Sequence, residues 1–186
     1  MKNRRSIRLK EYDYSQSGAY FITICTHSRK CIFGEIADGQ ITLNDAGKML
    51  SAEWQKLIAR FPNIELDEYV IMPNHFHGIV TLNFKIVGAT LVVAQETTND
   101  RAGTRPAPTR GTTIGDIVGA FKSITTDQYI NSINTKDWKP LNGKLWQRNY
   151  YEHVIRNEAK LNEIRQYIVD NPAKWDTDEE NLNVRP

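Results

Sequence analysis

Residues 64–82 read IELDEYVIMPNHFHGIVTL. Two runs rich in Ile, Val, Tyr and Phe flank Met72-Pro73-Asn74. β-Branched and aromatic enrichment broken by a Pro-Asn turn signal predicts two strands joined by a tight connection. The second run carries His75-Phe76-His77. Side chains two apart on a strand point to one face, so both imidazoles turn one way and Phe76 the other. Two imidazoles so placed can share one metal ion, and the chain has only four histidines.

The elements around this pair read outward from it. AYFITICTH (19–27) has strand composition, and turn signals follow at Gly34 and at Asp38-Gly39. LNDAGKMLSAEWQKLIARF reads as a helix, with Asn44 or Asp45 as its cap and Pro62-Asn63 as its stop. Its expected buried face holds Met49, Leu50, Trp54, Leu57 and Ile58. Downstream, residues 113–130 put Ile114, Ile117, Val118, Phe121 and Ile124 on one helical stripe. LWQRNYYEHVI (145–155) is extended in character. NEAKLNEIRQYIVDNP reads as a last helix, with Asn157 as N-cap, Leu161, Ile164 and Ile168 inward, and Pro172 as the stop. The order β, α, β, β, α, β, α predicts an α+β fold. Its first six elements match a ferredoxin-like split βαβ arrangement with an antiparallel sheet, and an added C-terminal helix carries Tyr167.

Length and composition fit one domain over 1–186, since 186 residues at 40% hydrophobic suffice for one core. Three segments stand apart. The arm 1–12 is basic: Lys2, Arg4, Arg5, Arg8 and Lys10 occur without an acid in the first ten residues. The stretch 83–112 lacks a sustained period and reads as a flexible loop. Within it, Val87-Gly88-Ala89 and Ala107-Pro108-Thr109 are encodable by complementary codons, so a translated DNA palindrome is one origin for it. The stretch 176–186 reads as an acidic tail. No apolar run approaches the roughly 18 residues of a membrane helix, and no apolar signal core follows the basic start, so the expected location is cytoplasmic. Cys25 and Cys31 lack the spacing of a zinc pair and read as reduced thiols.

Tyr167 and Asn171 lie four apart and share a helix face. Asn171 can offer an amide oxygen as a third ligand beside His75 and His77. Imidazoles, an amide oxygen and water, with no thiolate, suit Mg2+ or Mn2+. A purely structural alternative stands beside this, in which Tyr167 packs and Asn171 ends the helix before Pro172. His153 is a candidate to orient a ligand from behind, or an ordinary strand histidine.

Three blocks carry a resemblance: AYFITICT, MPNHFHGIV and LWQRNYYEHVIRNEAKLNEIRQYIVDNPAKW. In this order, spread over most of the chain, they resemble the REP-associated tyrosine transposases, a branch of the HUH single-strand endonucleases. The resemblance implies that His75, His77 and Asn171 bind a divalent metal and that Tyr167 is the catalytic nucleophile. It implies cleavage and strand transfer on hairpin-forming palindromic DNA through a 5′-phosphotyrosine intermediate. Arg4, Arg5, Arg8, Lys122, Trp146, Arg148 and Tyr150 are the candidate DNA contacts, since single strands bind along basic grooves with stacking aromatics. Monomer and homodimer both remain open. Two other readings use less of the pattern: a non-catalytic single-stranded nucleic-acid-binding module, and a metal-dependent hydrolase of small substrates.

Overall fold

A computed structural model describes residues 16–83, 112–136, 138–141 and 143–181. The basic arm with Arg4, Arg5 and Arg8, nearly all of the 83–112 segment, and residues 182–186 lie outside the described residues.

Strand β1 (Gly18–Cys25) is followed by a short hairpin, β2 (Gly34–Ala37) and β3 (Gln40–Leu43), then helix α1 (Asp45–Arg60). Strands β4 (Ile64–Ile71) and β5 (His75–Leu82) precede helix α2 (Ile114–Lys136), strand β6 (Tyr151–Ile155) and helix α3 (Glu158–Asp170). The main sheet runs β4-β5-β1-β6, and each neighbouring pair is antiparallel. That order, with α1 and α2 as the two crossovers, is the expected ferredoxin-like arrangement. The small hairpin is an insertion. Asp38-Gly39 at its tip has φ of 51° and 71°, the conformation a two-residue hairpin turn requires and an Asp-Gly pair favours. The strands on either side of that turn are four residues each and carry too short an alternation to stand out in the sequence.

The sheet is covered on both faces. Tyr20, Ile22 and Ile24 of β1 and Phe76, Val80 and Leu82 of β5 pack in one core with Leu50, Trp54 and Leu57 of α1 and Ile117, Val118 and Phe121 of α2. The opposite face carries a smaller core, in which Phe21, Ile79 and Ile155 meet Ile164 and Ile168 of α3. The pleat alternation thus divides the two cores, and the added helix belongs to the face on which His75 and His77 lie. Side chains cap the helices as read: Asn44 Oδ1 accepts from the Gly47 N–H, and Asn157 Oδ1 from the Lys160 N–H. Thr113 and Asp116 form a reciprocal capping pair at the start of α2.

Four boundaries depart from the sequence reading. Ile58 of α1 is 53% exposed rather than part of the packed face, because Leu57 beside it takes the inward position. Helix α2 continues to Lys136. Of residues 145–155 only Tyr151–Ile155 is a strand, and Trp146 makes a single bridge to Thr26. The chain does not leave the fold at Pro172. A 3-10 turn over Pro172–Thr177 carries it back, so residues 178–181 pack on the protein and Asn181 is buried. The acidic tail is therefore, as far as residue 181, part of the folded structure.

Candidate active site

The site is built on the cross-strand register of β1 and β5. His77 faces Thr23, and His75 faces Cys25. The Thr23 hydroxyl lies 2.8 Å from His77 Nδ1, and Asn74 Oδ1 lies 2.8 Å from His75 Nδ1. Each imidazole thus spends one nitrogen on a positioning partner and keeps Nε2 for the site. For His75 the partner is an acceptor amide oxygen, so Nδ1 carries the proton and Nε2 presents a lone pair. That pattern is the usual orientation of metal-ligating imidazoles. The rings stand 4.5 Å apart, edge to face. Gly78 lets this strand lie close to the core: a Cβ there would stand 2.8 Å from the Phe76 ring and 2.9 Å from Trp54.

Helix α3 brings Tyr167 to the same place. Its hydroxyl is 3.5 Å from His77 Nε2, and its ring packs edge-on to Phe21. The helix is held to the sheet edge by Arg165, whose guanidinium donates to both carboxylate oxygens of Asp67, at 2.9 and 2.6 Å. Asp67 sits where the pairing of β4 with β5 shifts register between Leu66 and Tyr69, an irregularity of the kind that re-aims side chains. Asn171, one turn after Tyr167, closes the helix. Its side chain is buried, and its Oδ1 has no hydrogen-bond partner. His75 Nε2 is likewise buried and unpartnered. Buried polar atoms are nearly always satisfied, and here two such atoms of ligand type belong to one site.

A third group joins them from the segment beyond the helix. His75, His77 and Asp178 present ligand atoms that all lie within 4.8 Å of one another, a set able to hold a metal ion. Asp178 Oδ2 also accepts from Asn171 Nδ2 at 3.3 Å. Sequence reasoning missed Asp178. It lies seven residues past Asn171 in an acid-rich run, and only the 3-10 turn that reverses the chain places it here. A cleft of about 480 Å³ opens over the group, lined by Phe21, His77, Tyr151, Tyr167, Asn171 and Asp178 among others.

The electrostatics favour a cation. Burial pushes the His75 pKa down to about 4, against the opposing pull of Asp178. His77 is pushed well below its usual range by burial and by His75. Both imidazoles are therefore neutral at pH 7 and ready to donate lone pairs. Burial raises the Tyr167 pKa, Asp178 raises it further, and Asn171 partly opposes them. Without added positive charge, the phenol is held protonated.

The remaining sequence candidates divide. Trp146 is a core residue, not a stacking platform. It is buried, packs against Phe33 and Phe121, and donates its indole N–H to Thr125. Lys122 points its ammonium at the carbonyls of Gln147 and Arg148, at 2.7 and 3.0 Å, and so holds that loop in place. Arg148 is exposed, and Tyr150 is half-buried against the main core. His153 does not stand behind the histidines; Thr23 and Asn74 take those places. It pairs across β1 with Phe21 and lines a separate cleft with Arg156, Asn157 and Lys160. Tyr151 is exposed and borders the site.

No protein-family model matches the chain. A Haemophilus influenzae relative, an uncharacterized protein, is 40% identical over 180 residues, spanning 95% of this chain and 92% of that one. The chain belongs to that protein's family. Among solved structures, a REP-associated tyrosine transposase bound to a REP hairpin shares the fold. Its TM-score is 0.52 at 21% identity, over 89% of this chain and 74% of that one. No helix among the described residues is long and apolar enough to cross a membrane.

Proposed function

We propose that this protein is a metal-dependent single-strand DNA endonuclease and strand-transferase that uses Tyr167 as its nucleophile. The observation that carries the reading is one place where the Tyr167 hydroxyl lies 3.5 Å from His77 Nε2, beside two buried ligand atoms, His75 Nε2 and Asn171 Oδ1, that have no hydrogen-bond partner. A non-catalytic binding module gives no reason for buried, unpartnered ligand atoms, each of which costs stability. A site that receives a hard divalent ion does.

His75, His77 and Asn171 are the residues that would hold Mg2+ or Mn2+, which when bound would polarise a phosphate and offset charge developing on it. Thr23 and Asn74 fix the two imidazoles from behind. His77 Nε2 lies 3.5 Å from the Tyr167 hydroxyl and would serve an ion in its place. The Tyr167 phenol gives its proton to water, its oxygen attacks phosphorus to form a P–O bond to tyrosine, and the bond to the 3′ oxygen breaks with its electron pair leaving on that oxygen. The products are a 5′-phosphotyrosine and, after proton uptake from water, a free 3′-OH. A second 3′-OH can reverse the step on another strand without an energy source. The Tyr167 hydroxyl lies 3.5 Å from His77 of its own chain, which supports cleavage in cis.

Hairpin-forming single-stranded DNA is the proposed substrate. The transposase of the same fold was solved on a REP hairpin, and the present cleft is open and bordered by the exposed Tyr151. The test uses labelled hairpin DNA with Mn2+. His75→Ala and His77→Ala should each abolish cleavage and largely spare hairpin binding, because phosphate contacts from basic residues dominate affinity. Full cleavage by the double variant would remove the metal site from the mechanism.

A further inference from the structure

The segment after α3 is fastened to the site by contacts from Arg29 and Asn74. Arg29 reaches across with both arms: Nη1 donates to the Glu179 carbonyl at 2.9 Å, and Nη2 pairs with the Glu180 carboxylate at 2.8 Å. Asn74 joins the two halves. Its Oδ1 receives the His75 N–H, while its Nδ2 donates to the Glu180 carbonyl at 2.7 Å and to the Arg29 carbonyl at 3.2 Å. One side chain therefore orients His75 and anchors the returning segment. Within that segment the Glu180 N–H holds Asp178 Oδ1 at 2.6 Å. That bond leaves Oδ2 as the oxygen turned to Asn171.

Resting on the metal-dependent reading above, we propose that Asp178 is a further ligand of the metal, and that Arg29 is a positioning residue that fixes the returning segment so that Asp178 reaches it. Three observations converge. The Asp178 carboxylate lies within 4.8 Å of the ligand atoms of His75 and His77. Two buried ligand atoms, His75 Nε2 and Asn171 Oδ1, stand unpartnered at the same place. Arg29 and Asn74 also pin the segment, through Glu179 and Glu180, so Asp178 Oδ2 is not its sole anchor. A carboxylate changes the character of the site. Two imidazoles and an amide are neutral and would hold a hard divalent ion weakly, whereas an anionic oxygen is the ligand such ions prefer.

Free Mn2+ counted by its paramagnetic resonance signal gives metal affinity without DNA or turnover. Asp178→Asn, nearly isosteric, should weaken Mn2+ binding at least about tenfold, a loss of about 1.4 kcal/mol. Arg29→Gln should weaken it by a smaller factor, and Arg29→Lys should recover part of the loss because it restores the charge that pairs with Glu180. Circular dichroism with thermal melting confirms that each variant is folded. Glu180→Gln supplies a second route to the same segment and should behave like Arg29→Gln. Wild-type affinity in Asp178→Asn, alongside lost binding in His75→Ala, would overturn the inference and leave the metal site intact. No Mn2+ binding by the wild type would overturn both this inference and the metal-dependent reading.

Discussion

At the scale of single residues, the site is a problem of lone pairs. His75 and His77 are useful only because Asn74 and Thr23 occupy their inner nitrogens. The sequence displays the HxH pair plainly, since strand alternation alone puts both rings on one face. It does not display Thr23, which reaches His77 only through the antiparallel register of two strands more than fifty residues apart in sequence. Asn74 is adjacent to His75, but its role depends on the turn that aims its amide. The low pKa of His75, about 4, has a consequence for stability. The unfolded chain takes up a proton near pH 6.5, whereas the folded chain resists until about 4. The contribution of the neutral ring is therefore complete above about pH 6.5 and is lost as pH falls from there toward about 4. Burial gives His77 the same sign. The urea midpoint of the metal-free protein should fall between pH 7.5 and pH 4.5, and His75→Gln should reduce that fall. Equal slopes for the two proteins would mean that His75 titrates normally in the fold.

At the scale of elements, α3 and the strand pair β4-β5 hold Tyr167 beside the two histidines. The order of the ferredoxin-like core is legible in strand composition and helical stripes, although β6 reads too long, over 145–155, and α2 too short, over 113–130. The β2-β3 hairpin was legible only as its turn, Asp38-Gly39. The return of the chain after Pro172 was illegible, because a 3-10 turn has no apolar period and the acids that follow it look like a solvated tail. Two contacts set the position of α3 and β5. Arg165 clamps the helix two residues before Tyr167, and Gly78 lets β5 approach Trp54 and Phe76. A methyl group at position 78 meets two fully buried rings that have no room to retreat. Gly78→Ala should therefore cost about 1–3 kcal/mol, the scale of overpacking a core, read as a lower urea midpoint at unchanged slope. An unchanged midpoint would show that the rings rearrange freely and that Gly78 is not the reason the strand lies so close.

At the scale of the whole molecule, the question is where a polyanion would bind a chain of net charge +2. The cleft itself is bordered by Asp178, Glu179 and Glu180 as well as Lys174, and Glu180 is paired with Arg29, so the cleft offers a phosphate little net attraction. Of the described DNA candidates, Lys122 is engaged with carbonyls and Trp146 is buried, which leaves Arg148 as an exposed charge. The basic arm, with Arg4, Arg5 and Arg8, is then the main reserve of positive charge among the candidates. Deleting residues 1–10 should weaken hairpin binding and flatten its dependence on salt, since each phosphate contact adds to that slope. An unchanged slope would assign the phosphate contacts to the folded domain instead.

The proposed chemistry turns on one oxygen atom, the hydroxyl of Tyr167. Incubating 5′-labelled and internally labelled hairpin DNA with the protein and Mn2+, followed by a denaturing gel, asks whether DNA becomes covalently joined to protein. The wild type should carry internal label downstream of the cut into the protein band, whereas the 5′-end label should leave on the fragment that ends in a free 3′-OH. Tyr167→Phe should give none, while keeping its fold, its metal affinity and its hairpin affinity, because the ring that packs on Phe21 remains. Tyr151→Phe is the sharpest control, since Tyr151 is exposed on the same cleft, and it should still form the adduct. An adduct from Tyr167→Phe, or cleavage by the wild type with no adduct at all, would contradict the account.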